Sequence, residues 1–316
     1  MTDQVKNNRG VVARIAKSLS SIEPNELKAT GLSFLFVAIL MIAYYLLRPV
    51  RDAMASDWTD AEVSWLWTLN FFISAAIVAV YGFAVSRIQF RKLIPSVYAF
   101  FASTFVVFFL ASQVLEDGIL VDKIFYVWVS VFALFHLSTF WSFMADTFNK
   151  DQSKRLFSII SAGASIGAVI GPLMSGVLAT RIGTDSMMLI SATLLIIPIP
   201  IILYLARLKQ TELGNEEHGI AIEKLKIGGN FLSGFKDFVT SPYLLGIGIF
   251  IIAYTGIGTF VYFEQKNLLE VYDLDTRAAI YGYRDAVVNT ITYLLAFFLT
   301  GRLVSKLGMP VALAIV

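Results

Sequence analysis

The sequence predicts an all-α, polytopic membrane protein, and three observations carry that reading. Of the 316 residues, 57% are apolar and 15% are charged, with a mean hydropathy of +0.72. Soluble domains carry roughly 25% charged residues, so a water-exposed fold of this composition would lack a polar skin. Uncharged windows recur at 29–47, 63–86, 93–115, 124–145, 156–180, 186–206, 238–263 and 286–301. About 20 apolar residues carry a helix across the hydrocarbon core. The windows show no period-two alternation, so the backbone is expected to satisfy itself as helices and not as a closed barrel. Eight spans are predicted, with a ninth begun at 307–316 and cut off there.

The segment before the first span, 1–27, is polar and basic. It has no short apolar core with a small-residue cleavage site, so the first oily run reads as a retained span and not as a signal peptide. Lys6, Arg9, Arg14, Lys17 and Lys28 precede that run. With this end inside, inner segments hold 18 of the 25 lysines and arginines. That bias predicts a cytoplasmic N-terminus and an inner (plasma) membrane location. Net charge is only +2, so nucleic acid is not an expected partner; the lipid bilayer is. There is no cysteine, hence no disulfide, thiolate metal site or cysteine nucleophile. No cofactor or metal is expected, and the chain reads as a monomer. Enzyme chemistry has no foothold, with no Ser–His–Asp order, no paired helical histidines and no glycine-rich phosphate loop.

The first span ends in "YYLLRPVRD", which sets Arg48, Arg51 and Asp52 at its outer end. Arg48 and Arg51 share a helix face with Tyr44, and Asp52 follows Arg48 by four. Pro49 disfavours helical geometry at Arg48, so a kink or helix end is expected there. Polar stripes recur elsewhere. They are Asn70, Ser74 and Tyr81 in the second span, and Ser138, Ser142 and Asp146 in the fourth. The seventh has Thr255, Thr259, Tyr262 and Lys266; the eighth has Asp285, Asn289 and Tyr293 beside Arg284. If the first, second, seventh and eighth spans enclose a cavity, Arg51, Lys266 and Arg284 form a cationic mouth suited to an oxyanion. The plainer alternative is interface anchoring, with Asp52 and Asp285 neutralising adjacent arginines. His136, in mid-span, reads as a packing histidine before a proton relay.

In the fifth span, Gly163, Gly167 and Gly171 stand four apart, followed by Pro172 and Gly176. That spacing lines one helix face and admits a close backbone neighbour. Proline removes one helical bond. The window from Gly167 through Gly171, Pro172 and Ser175 to Gly176 resembles the glycine-proline motif in the fifth helix of major facilitator exchangers, with Ser175 for one glycine. That resemblance implies a packed hinge that favours exchange over leak; the plainer alternative is close packing alone. The one long inner loop, 208–241, carries Phe231, Phe235 and Phe238 at helical spacing. It is either an interfacial helix or an ordinary linker.

Two inner loops are alike: Ser86-Arg87-Ile88 after the second span and Ser305-Lys306-Leu307 after the eighth. Duplicated six-helix halves are a transporter design. With six spans before the long loop, the pair points to a major facilitator architecture, in which Arg87 and Lys306 have conformational or packing roles. The expected organisation is 1–27 cytoplasmic segment, 28–207 six-helix bundle, 208–241 linker and 242–316 start of an incomplete second bundle. The chain is therefore expected to be a fragment of a twelve-helix protein.

The stretches "IEPNELKATGLSFLFVAILMIAYYLLRPVRDAMA", "FWSFMADTFNKDQSKRLFSIISAGASIGAVIGPLMSG", "SPYLLGIGIF" and "RAAIYGYRDAVVNTITYLLAFFLTGRLVSKLG" resemble bacterial members of the ATP/ADP translocase group. The resemblance covers most of 22–316. Its specific part pairs "RPVRDA" after the first span with "FWSFMAD…KRLF" leading into the fifth. It implies alternating access of two six-helix bundles and exchange of nucleotides or a related organic anion, with basic residues meeting phosphate. Arg51 and Asp52 stand where that group has a basic-acidic pair. The candidate substrate contacts are Tyr44, Arg48, Arg51, Asp52, Asn70, Tyr262, Lys266, Arg284, Asp285 and Asn289. A major facilitator carrier for another small metabolite, proton-coupled through Asp146 or His136, is the alternative.

Overall fold

A computed structural model describes residues 22–85, 87–115, 118–215 and 240–296. Among these the chain is helical without strands. The helices are α1 (Leu27–Met54), α2 (Asp60–Val85), α3 (Phe90–Val114), α4 (Ile119–Thr147), α5 (Lys150–Ile182), α6 (Thr184–Ile196), α7 (Pro198–Thr211), α8 (Pro242–Leu269) and α9 (Leu274–Leu295). A 3-10 turn, Ala55–Asp57, continues α1. Seven stretches are long and apolar enough to cross a membrane. One of them joins α6 and α7 as Thr184–Thr211. Ile197 between those two keeps helical dihedrals, so the break reflects the missing N–H of Pro198 and not a turn. The candidate interfacial helix and Lys306 lie outside the described residues.

Helix starts are set by local chemistry. Asn149 accepts from the amides of Asp151 and Gln152 while Gln152 bonds back to the Asn149 amide, a full capping box for α5. Thr59 and Glu62 exchange the same pair of bonds ahead of α2. Such caps are worth about 1 kcal/mol each. Asp273 caps α9 by accepting from Thr276 N at 3.0 Å and Thr276 Oγ1 at 2.6 Å. Those bonds hold its carboxyl below the usual carboxylate range. With that cap, α9 begins at Leu274, twelve residues before the uncharged window at 286. Its leading turns keep Arg277, Arg284 and Asp285 because each charge meets a protein partner. Those charges and its other polar residues make α9 less apolar than the seven stretches.

α1 is the central post. It packs on α5 along most of its length and also on α4, α6 and α7, while α3 lies against α6. α9 rests on α5 and α1. Pro49 does not end α1, which runs on to Met54. The glycine stripe explains the tight α1–α5 seam. A Cβ at Gly163 would lie 2.4 Å from Phe34 O, and one at Gly167 2.4 Å from Ala38 O. At Gly171 it would meet Tyr45 Cβ at 2.8 Å. Aromatic side chains fill the space around the post, with the Phe36 and Phe140 centroids 5.0 Å apart and edge-on. Outward faces are oily: Phe71, Phe72 and Phe83 on α2, and Ile252 and Phe260 on α8, are exposed. A continuous apolar coat of this kind fits lipid and not water.

Candidate functional site

A cavity of about 820 Å³ opens between α1, α2, α4 and α8. Its walls carry Arg51 from α1, Trp67 and Asn70 from α2, Tyr126 and Ser130 from α4, and Tyr262 from α8. Thr255 and Thr259 of the α8 stripe also face it. Of the expected contacts, Arg51, Asn70 and Tyr262 line this space.

Arg51 is held by both its neighbours and the cavity wall. Its Nε and Nη2 donate to Asp52 Oδ1 at 3.0 and 2.6 Å, and Nη1 donates to Ser130 Oγ at 3.3 Å. The guanidinium carbon lies 5.4 Å from the Tyr126 ring centroid. A guanidinium has five N–H groups, so three are committed and one on each terminal nitrogen stays open. The side-on edge serves Asp52, and the two uncommitted N–H groups can still reach the oxygens of a carboxylate or phosphate.

Tyr126 is a junction. Its hydroxyl accepts from Trp67 Nε1 at 2.6 Å and lies 3.1 Å from the Tyr262 hydroxyl. The Trp67 ring sits 5.3 Å from that of Tyr262. Three polar aromatics thus converge beside one cation. Trp67 and Tyr126 escape a reading of charged stripes because each looks like an ordinary interface aromatic. The spacing of Tyr126 and Ser130, one helical turn, was the available signal.

The other cations near the end of α1 face protein carboxylates. Arg48 Nη1 is 3.4 Å from Asp285 Oδ2, an ion pair without hydrogen-bond alignment, and Arg48 Nε is 3.8 Å from Asp52. Arg284 pairs with Asp285 through Nε at 2.9 Å and also contacts Gln265. Asp52 and Asp285 are both buried. Lys266 is buried too, donating to Trp58 O at 2.7 Å and pairing with Asp60 at 3.0 Å. Arg277 binds Asp57 at 2.5 Å and the carbonyls of Leu269 and Glu270. These contacts tie α8 and α9 to the α1–α2 connection. The arrangement brings Arg51, Arg48 and Arg284 into one region, but Lys266 is buried against Trp58 and Asp60 and is not among the residues of the cavity wall. Tyr44 stacks on His136 at 4.5 Å, and His136 Nδ1 lies 3.2 Å from Phe132 O. Neither Tyr44 nor His136 is among the residues that line the cavity. Asn289 donates to Ala168 O at 2.6 Å.

At the opposite end, Arg155 grips Glu26 and Glu23 at 2.8 and 3.3 Å, and Lys28 pairs with Glu212 at 2.8 Å. Asp146 is paired with Lys209 at 2.9 Å. Arg87 lies over the Phe83 ring, 4.3 Å from its centroid. Gly176 abuts the Tyr283 ring, where a Cβ would sit 3.0 Å from it. Among the described residues no cluster of three or more metal-ligating side chains occurs.

No curated protein and no solved structure matches the chain. The family model described as Major Facilitator Superfamily matches residues 33–316. That match, the apolar helical bundle and the cavity enclosed by four of its helices agree: the chain belongs to the major facilitator superfamily, and it is a multi-pass membrane secondary transporter.

Proposed function

We propose that the protein works by alternating access and exchanges one organic anion for another, with a substrate that is nucleotide-like in joining a flat ring to an oxyanion. The single observation that carries this reading is Arg51 in the cavity wall with one N–H uncommitted on each terminal nitrogen. Arginine recognises carboxylate and phosphate through such donors. The half-buried rings of Trp67 and Tyr262 supply stacking surface beside Arg51, worth about 0.5–1.5 kcal/mol per well-placed pair. Arg51 is the one fixed cation among the described lining residues, and Asp52 offsets part of its charge. A nucleoside monophosphate or an aromatic carboxylate therefore matches the wall better than a triphosphate. By the lysine and arginine bias the Arg155 end is cytoplasmic and the Lys266 end external.

Reconstituted vesicles test this directly. Labelled nucleoside monophosphate should enter vesicles preloaded with an unlabelled organic anion and should not enter empty ones. Arg51→Ala should cut that uptake at least tenfold, since a charge-assisted bond is worth about 1.5–3 kcal/mol, while insertion stays normal. Uptake driven by a pH gradient alone, or unchanged uptake in Arg51→Ala, contradicts the reading.

A further inference from the structure

We infer that Asn289 is a positioning residue of the transport cycle: from α9 it supplies the hydrogen bond that Pro172 withholds within α5, and so holds α9 against α5 in the externally closed state. The argument starts from proline chemistry. In an α-helix the N–H of residue i bonds the carbonyl of residue i−4. Pro172 lies inside α5 and has no N–H, so it cannot serve Ala168 O. The Asn289 amide donates to that same carbonyl at 2.6 Å.

The surroundings make this bond sensitive to relative motion. Gly282, two helical turns before Asn289, presses its backbone onto α5. A Cβ there would sit 2.6 Å from Pro172 O and 2.5 Å from Gly176 N. Asp285, between them on the same face, pairs with Arg48 of α1. The seam between α5 and α9 is thus a line of backbone contact with one donor aimed at one free carbonyl. Separation of α9 from α5 breaks the bond and leaves Ala168 O without its donor. A buried carbonyl that loses its partner without gaining water is costly, so the seam has no favourable half-open position.

The inference rests on the alternating-access reading but not on the identity of the substrate, and the test needs no substrate. The chain has no cysteine, so Val114→Cys and Val271→Cys give two clean spin-label sites. Both are highly exposed, one at the end of α3 and one between α8 and α9. Distances between the labels in lipid nanodiscs report closed and open populations at that end. Asn289→Ala should raise the open-to-closed ratio roughly fivefold, the size expected for one net hydrogen bond. Asn289→Asp, which keeps the shape and removes the donor, should raise it at least as much. Pro172→Ala restores an N–H for Ala168 O, so Asn289→Ala added to Pro172→Ala should change nothing further. An equal effect of Asn289→Ala in both backgrounds overturns the inference. So does a ratio unchanged by Asn289→Ala or Asn289→Asp, a result that stands even if Pro172→Ala fails to fold. Failure of anion exchange with this pattern intact would fault the substrate reading alone.

Discussion

α5 meets two partners through glycine, and the two seams differ. Against α1, Gly163, Gly167 and Gly171 touch backbone carbonyls and apolar carbons. The neighbourhood is the buried core of the first bundle, and Ser191 adds a bond to Ala43 O at 3.0 Å from α6. Against α9, Gly176 and Gly282 make an equally close approach, but the flanking contacts are an amide-to-carbonyl bond and an ion pair. Apolar close packing offers no alternative partner when it parts. Polar contacts can exchange for water at modest net cost. Under the proposed alternating access, the first seam is the one expected to stay closed and the second the one expected to open.

The largest expected effect breaks the first seam. Gly167→Leu must drive side-chain atoms into Ala38 O and Met41 Cβ, already 2.4 and 2.7 Å from a bare Cβ. Overpacking by single methylenes already costs about 1–3 kcal/mol, and backbone cannot retreat here. The variant should fail to yield folded protein, read as aggregation in size-exclusion chromatography in detergent. Next comes the second seam. Gly282→Ala puts a methyl against Pro172 O and Gly176 N, yet α9 is free to shift outward. It should fold, show a mostly open population between labels at 114 and 271, and transport poorly. If both variants fold equally well, or both fail, the contrast between a fixed and a movable seam is wrong. Asn289→Ala, removing one bond of the second seam, should have the smallest effect of the three.

How much of this was legible in the sequence depends on how local the cause is. Composition and uncharged windows suffice for the spans, because crossing lipid is a property of each segment alone. The glycine spacing announces a close neighbour but not which one; α1 and α9 emerge as partners only in three dimensions. Arg51 was found because a charge at the end of an oily helix is conspicuous. Lys266 looked equivalent by the same rule. Its partners, Trp58 O and Asp60, come from the α1–α2 connection some two hundred residues earlier, and no local pattern encodes that pairing. Asn289 followed the same course, expected at a substrate and placed on Ala168 O. The start of α9 as far back as Leu274 was hidden because Arg277 looks unfit for lipid until Asp57 is seen opposite it.

The central claim is that the end sealed by Asp57–Arg277 and Lys266–Asp60 must open during transport. Asp57→Cys with Arg277→Cys, bridged by a flexible cleavable dithiol-reactive linker, tests it in one assay. Exchange of labelled anion should survive the two substitutions, vanish on bridging and return on cleavage of the linker. Undiminished exchange by fully bridged protein would contradict the account.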